Sequence, residues 1–347
     1  MPQTNLLIKL DGLTMTLAKG ERRQHLVRTA ELELPPRTAV GIVGESGSGK
    51  TLTVSSILGL VPFLPGITAG SLVLGYDQTP DNVWRDGPWL NRRVYDRRKY
   101  FTWQRRLTSR MKRYRGKKIS IIFQKAKVSL NPFLKIKDQV FESLKIAGES
   151  PNIDSALYWL NNCGFNAGEA SRIADQYPHQ LSGGQAQRAV MAITLSSQSQ
   201  TVIADEPTTG LDAKLQVETL IFIKQMLDKF ERSAIIISHN LYSLAKFTDI
   251  CYVMYRGLTL EKGPTAKILE HKGTNHPYTQ KLQGLVESGD VVGQTQVRTD
   301  IAGCPFYANC HIYRKFDAGA QKRCRESEPP KISLDSDHYV RCWAFEK

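Results

Sequence analysis

A chain of 347 residues, 41% of them hydrophobic, has enough apolar mass for one large or two medium globular cores. No run approaches the ~20 apolar residues of a membrane span, and Met1-Pro2-Gln3-Thr4-Asn5 lacks a basic region leading into an apolar stretch, so a cytosolic chain is expected unless a partner holds it elsewhere. The formal net charge of +14 suggests a polyanionic neighbour, and 14 Lys or Arg against Asp86 and Asp96 concentrate +12 of it in the 34 residues from Arg85 to Lys118.

Leu6 to Leu17 alternates like one or two strands, and Leu32 to Pro36 leads into an apolar strand, Ala39 to Val43, so an antiparallel β layer is expected first. The run Gly44-Glu45-Ser46-Gly47-Ser48-Gly49-Lys50-Thr51 follows, and then the apolar-rich Leu52 to Leu60. Strand, glycine loop and helix in that order match a phosphate cradle. The glycines let backbone N–H groups curl around phosphate oxygens, and the helix N-terminus adds partial positive charge. Lys50 is placed to reach the β- and γ-phosphates, and the Thr51 hydroxyl to ligate Mg2+. Between Met1 and Pro62 there is no Phe, Tyr or Trp to stack on a base, which leaves His25 or an arginine of Arg22-Arg23 for that task.

Ser71 to Tyr76 reads as a short strand, after which Trp84, Trp89, Tyr95, Tyr100, Phe101, Trp103 and Tyr114 are interleaved with the basic cluster. Such a mixture suits three environments: a surface insertion with packed aromatics and solvated charges, an anionic membrane surface, or nucleic acid. Lys118 to Phe123 is a strand ending in Gln124, and Lys125 to Pro132 reads as a loop because Asn131-Pro132 favours a turn. Helical patterns at Asp138 to Ile146, Ile153 to Asn162 and Glu169 to Asp175, with no strand between them, predict a helical subdomain inserted in an α/β core.

Tyr177-Pro178-His179-Gln180 precedes Leu181-Ser182-Gly183-Gly184-Gln185, with Ser182 at the N-cap of a helix from Ala186 to Leu195. This is a second helix start suited to an anion. Thr201 to Glu206 is a buried-strand pattern ending in two carboxylates, Asp205 suited to hold Mg2+ through its water shell and Glu206 to orient or deprotonate a water. Thr208-Thr209-Gly210-Leu211-Asp212 leads into the helix Lys214 to Phe230. Ser233 to Ser238 is a strand ending in His239, whose imidazole is placed to hydrogen-bond a γ-phosphate oxygen. Another strand, Ile250 to Arg256, and helical stretches Ala266 to His271 and Tyr278 to Leu285 follow.

Glu287 to Asp300 reads as a linker. Beyond it Cys304, Cys310, Cys324 and Cys342 cluster, whereas Cys163 and Cys251 stand alone. Four clustered thiols in a cytosolic chain favour a metal over disulfides, and the spacing leaves iron–sulfur and zinc both open.

The ordered set of Gly44 to Thr51, Gln124, Leu181 to Gln185, Asp205-Glu206, Asp212 and His239 resembles the ATP-binding subunits of ABC transporters, over roughly residues 5 to 270. Ser129-Leu130-Asn131-Pro132, Tyr177-Pro178-His179, Ala204 to Thr209 and His276-Pro277-Tyr278-Thr279 look like the dipeptide/oligopeptide importer subgroup, and the four tail cysteines are similar to those that hold a 4Fe-4S cluster there. The resemblance implies an α/β P-loop NTPase of ABC type, with an antiparallel β layer and a small cysteine-containing C-terminal extension. It implies a nucleotide-binding domain at 1–270, containing a helical subdomain at about 135–198 and the basic aromatic insertion at about 77–117, and an extension at 271–347.

Carried over by residue, Gly44, Glu45, Ser46, Gly47, Ser48, Gly49, Lys50 and Thr51 would bind ATP, with Thr51, Gln124 and Asp205 at Mg2+. Glu206 would be the catalytic base, Gln124 would sense Mg2+ and couple to the membrane subunit, and His239 would read the γ-phosphate. Ser182, Gly183, Gly184 and Gln185 would meet ATP held on a sister ATPase subunit, and Asp212 would link the two sites. The implied assembly is a heterodimer of ATPases with two transmembrane permease subunits, served by a substrate-binding protein, at the cytoplasmic side of a bacterial inner membrane. No nucleic acid is expected, and the basic insertion stays open between a packed surface insertion and contact with a membrane surface or membrane partner. Lys125-Ala126 replaces the family's acid and proline after the glutamine, and Asn240 stands where an Asp commonly follows the histidine. The rivals are a soluble ABC ATPase acting on nucleic acid or ribosomes, a nickel or haem importer, and a metal-responsive regulatory subunit.

Overall fold

The computed structural model describes residues 6–19, 22–61, 63–77, 79–87, 97–124, 126–208, 213–270, 275–284 and 302–346. The strands are β1 (Ile8–Lys19), β2 (Arg22–Leu34), β3 (Ala39–Val43), β4 (Pro65–Leu74), β5 (Asp81–Asn82), β6 (Ile119–Ile122), β7 (Thr201–Asp205), β8 (Ser233–Ser238), β9 (Ile250–Tyr255), β10 (Leu258–Pro264), β11 (Lys331–Ser333) and β12 (Tyr339–Arg341). The helices are α1 (Lys50–Ile57), α2 (Arg97–Met111), α3 (Ala126–Ser129), α4 (Ile136–Ala147), α5 (Ile153–Asn162), α6 (Ala167–Ala174), α7 (Gly183–Ser196), α8 (Ala213–Lys229), α9 (Leu241–Ala245), α10 (Thr265–Leu269), α11 (Pro277–Leu282) and α12 (Ala318–Glu326). Two compact units result, one formed by residues up to 35 with 39–108 and 238 onward, the other by 36–38 and 109–237.

In the first unit β1 pairs antiparallel with both β2 and β4, which is the expected antiparallel layer. The strand order runs β5-β4-β1-β2-β10-β9-β3, with β3 parallel to β9. β3 is buried at all five positions, as a parallel strand covered on both faces must be. The last part of the chain joins this unit, because β12 pairs with β10 at Glu261↔Val340 and Lys262↔Tyr339 and with β11 on its other side. Arg28 on β2 donates to the Gly303 and Ala302 carbonyls at 2.9 and 2.8 Å. Glu31, also on β2, receives Arg341, Lys331 and Tyr339.

The second unit carries the parallel series β8-β7-β6 and the helices α4 to α8. The helix starts are written into the sequence: Asn152 and Ser155 form a reciprocal cap on α5, and Asn166 and Glu169 do so on α6. The stretch 126–132, expected to be loop, holds one helical turn, α3, before the Asn131 side chain takes the Phe133 N–H at 3.0 Å and makes the turn.

A helix absent from the sequence reading, α2, crosses the basic stretch. Tyr100, Trp103, Leu107 and Met111 are buried along one of its faces, and Arg98, Lys99, Arg105 and Arg106 are exposed on the others. Trp84 and Tyr114 are also buried, so only Phe101 among the described aromatics of this stretch is exposed; Trp89 and Tyr95 lie outside the described residues. Packing, rather than stacking on a base or a lipid interface, occupies these rings.

Candidate functional site

The glycine loop leaves β3 and ends on α1 in the first unit. A Cβ on Gly44 would sit 2.1 Å from the Met254 carbonyl oxygen, and Gly49 has φ of 99°, so neither position takes a side chain without moving backbone. Lys50 is buried and its Nζ donates to the Gly44 and Glu45 carbonyls at 2.8 and 3.1 Å, which folds the ammonium back over the loop. Ser48 Oγ is buried without a partner, an unspent polar atom inside a cradle of backbone amides. Thr51 is exposed at the start of α1. Ser46 and Gly47 are exposed at the tip of the loop.

Two residues from beyond residue 270 hold this loop. Glu45 N–H donates to Tyr278 Oη at 3.0 Å, and Lys281 Nζ lies 3.2 Å from Glu45 Oε1. Tyr278 is fully buried, its ring packed against Tyr255 and Phe306 at centroid distances of 4.5 and 5.3 Å. In the sequence His276-Pro277-Tyr278-Thr279 was visible only as a family mark; its contact with the loop was not. His239 stands exposed after β8 in this same unit, and Asn240 is the N-cap of α9, taking the Ser243 N–H at 2.9 Å. An amide caps as well as a carboxylate does, which accounts for Asn at that position. Exposed His25 lies 3.1 Å from Thr16 Oγ1 through its Nδ1.

The acids and the serine-glycine helix start belong to the second unit. Asp205 is buried at the end of β7, and Glu206 follows in a left-handed conformation with φ of 44°, its N–H donated to the Ile237 carbonyl at 3.2 Å. Gln124, exposed after β6, donates from Nε2 to Glu206 Oε2 at 3.2 Å. Ser182 caps α7: its Oγ accepts the Gln185 N–H at 3.2 Å while Gln185 Oε1 takes the Ser182 N–H at 3.0 Å. The Ser182 hydroxyl proton is not used by that cap and is left for an acceptor. Gly183 and Gly184 are exposed beside it, and Gln187 on α7 donates to the Pro207 carbonyl at 2.6 Å, tying the helix to the residue after the acid pair. Asp212, with Thr209 to Leu211, lies outside the described residues.

The four tail cysteines are all buried and line one cavity together with His276. Burial pushes the Cys304 thiol up to about 12 and Cys324 to about 11, and raises Cys310 and Cys342 as well, with the neighbouring thiols adding to the shift in Cys304, Cys324 and Cys342. Backbone N–H groups of Phe306, Tyr313 and Ala344 face the sulfurs of Cys304, Cys310 and Cys342. Among the described residues no group of three or more His, Cys, Asp or Glu is placed to hold a metal ion. Cys163 and Cys251 are buried elsewhere, and burial raises both thiols.

Residues 27–209, which span the glycine loop, the serine-glycine helix start and the acid pair, match the ABC transporter family model. The chain belongs to the ABC transporter family. It is an ABC-type ATPase. Similar to this ABC chain are a putative peptide import ATP-binding protein of Brucella abortus (strain 2308), 29% identical over 97% of this chain and 96% of the relative, and the oligopeptide transport ATP-binding protein OppD of Bacillus subtilis (strain 168), 30% identical over 99% and 90%. In fold it is similar to a dimeric bacterial ABC transporter cassette, at a TM-score of 0.56 and 23% identity over 74% of this chain and 98% of that one. Among the described residues no helix is long and apolar enough to cross a membrane.

Proposed function

We propose that this ABC ATPase drives the import of peptides, as a peripheral subunit on the cytoplasmic side of a bacterial inner membrane. The observation that carries the reading is similarity of about 30% along 99% of the chain, tail included, to an oligopeptide transport ATP-binding protein. In the proposed cycle the amides of Gly44 to Gly49 and the Lys50 ammonium bind the phosphates, for which Lys50 must leave the carbonyls it now holds. Thr51, Asp205 and Gln124 would hold Mg2+, and Glu206 would take the proton of the attacking water. His239 would bond the γ-phosphate. Ser182, Gly183, Gly184 and Gln185 would meet the nucleotide of a sister ATPase, with Asp212 at the junction, so that ATP closes the heterodimer and hydrolysis releases it. Two transmembrane permease subunits and a substrate-binding protein would complete the importer. The cassette is read as residues 1–270, with its helical subdomain at about 135–198 and insertion at about 77–117, and the extension as 271–347.

The tail is proposed to carry a 4Fe-4S cluster on Cys304, Cys310, Cys324 and Cys342. Four soft donors share one cavity and backbone amides face three of the sulfurs, features that support a sulfur-bridged iron group. Bound there, the cluster would supply positive charge that ionises the thiols and cross-links the tail.

Affinity purification of the tagged chain from its native membrane, without oxygen, tests the whole reading. Two membrane subunits, a sister ATPase and about four irons per chain are expected. Ribosomal proteins or nucleic acid without a membrane partner would overturn it.

A further inference from the structure

His276 is a histidine that the ATPase cycle does not use, and its two ring nitrogens are in opposite situations. Nδ1 accepts the Tyr278 N–H at 3.0 Å, so its lone pair is engaged and the proton of the neutral ring sits on Nε2. Nε2 is buried and has no partner, although the ring is only 1% exposed. A buried N–H donor left unmade costs about 1–3 kcal/mol, so its retention calls for an acceptor that belongs in the space it faces. His276 lines the cavity shared by the four cysteines, which Tyr307, Tyr313 and Trp343 also line. The ring is also fixed in place: its own N–H backbone group donates to the buried Glu261 carboxylate at 3.0 Å, and Phe306, two residues from Cys304, stands against it at a centroid distance of 6.2 Å.

We propose that His276 is a further residue of the cysteine site, donating its Nε2–H to a sulfur of the iron–sulfur group held by Cys304, Cys310, Cys324 and Cys342. The assignment rests on the iron–sulfur reading of that site. It makes His276 a hydrogen-bond donor and not a metal ligand, because ligation through Nε2 would require moving the proton to Nδ1 and giving up the bond from Tyr278. A donor aimed at cluster sulfur stabilises the more negative, reduced state and raises the reduction potential. The contact would join the backbone amides of Phe306, Tyr313 and Ala344 as part of one sulfur-facing shell. The same residue passes its other nitrogen to Tyr278, whose hydroxyl holds the phosphate loop at Glu45.

The test compares the full-length wild type with His276→Leu and His276→Gln, purified without oxygen, by iron content and by dye-mediated potentiometric titration of the cluster. The expected result is unchanged iron in all three, a shift to more negative potential in His276→Leu, and recovery toward the wild-type potential in His276→Gln, which keeps a terminal N–H donor. Full iron with the wild-type potential in His276→Leu would reduce His276 to a packing residue and overturn the assignment while leaving the cluster in place. A wild-type chain holding zinc or no metal would overturn the cluster reading itself, and the assignment with it. Should His276→Leu not fold, spin-echo spectra of the reduced chain with isotopically labelled histidine, in a His311→Gln background, decide the same point: a nitrogen coupling supports the donor, and its absence refutes it.

Discussion

Replacing Tyr278 by Phe removes one oxygen atom and nothing else from the loop's surroundings. The ring is fully buried between Tyr255 and Phe306 and keeps its packing, while Glu45 N–H loses the acceptor that stood 3.0 Å away. Glu45 is exposed, so water can take over its N–H and the full penalty of a buried orphan is not incurred. The loss is then that of one ordinary hydrogen bond, about 1 kcal/mol. Because that bond holds the first turn of the phosphate loop, we expect the loss in nucleotide affinity, as a roughly fivefold rise in Kd. Calorimetric titration with ATP in a Glu206→Gln background, which blocks turnover, reads it directly. An ATP affinity within twofold of the parent would show that the loop keeps its shape without Tyr278, and would refute the idea that residues beyond 270 position it.

Glu206→Gln alone should leave ATP binding intact and lower steady-state hydrolysis by about 10²–10⁴-fold, as expected for loss of a general base; ordinary turnover would remove Glu206 from that role. In Gly303→Ala the new Cβ would stand 2.2 Å from the Cys324 carbonyl oxygen, breaking the Gly303 to Arg325 and Cys304 to Cys324 backbone bonds. We expect about 3 kcal/mol of local destabilisation and loss of bound iron, read by metal analysis and limited proteolysis of the tail, and a variant with full iron would contradict this packing. Burial opposes the Glu31 charge, but Lys331, Arg341 and Tyr339 outweigh it and hold its pKa below the ordinary 4.5. Its contribution is therefore complete above about pH 4.5 and fades as pH falls through the lowered value, so hydrogen exchange in β12 should accelerate below that pH. Glu31→Gln should already show fast exchange at neutral pH and little further acid dependence; identical profiles for the two chains would refute a role for the Glu31 contacts in holding β12.

The parts legible in the sequence are those whose cause is local. β3, β7 and β8 have apolar centres and are buried at every position because parallel strands are covered on both faces, and α5 spans Ile153 to Asn162 as its helical pattern predicts. α2 is hard to see in the sequence because dense arginines interrupt the spacing of Tyr100, Trp103, Leu107 and Met111 along one helical face. The pieces of the proposed ATP site are named from motif order, since each glycine, lysine or carboxylate follows its strand at a fixed offset. What supports them could not. Tyr278 and Glu45 are 233 positions apart, and no periodicity or propensity relates them; only the pairing of β10 with β9 and β12, and the packing of α11, brings the His276 to Thr279 segment to the loop and to the cysteines. The Arg28 and Glu31 contacts to the tail were equally invisible, because their partners Gly303 and Arg341 lie 275 and 310 positions away.

The most direct test of the account is transport by the assembled complex. The chain, purified with its membrane partners and placed in lipid vesicles, should take up labelled oligopeptide in an ATP-dependent way, with hydrolysis stimulated by the peptide-loaded binding protein and both activities lost in Glu206→Gln. Hydrolysis that ignores peptide and binding protein, with no uptake above that of vesicles lacking ATP, would contradict the assignment to peptide import.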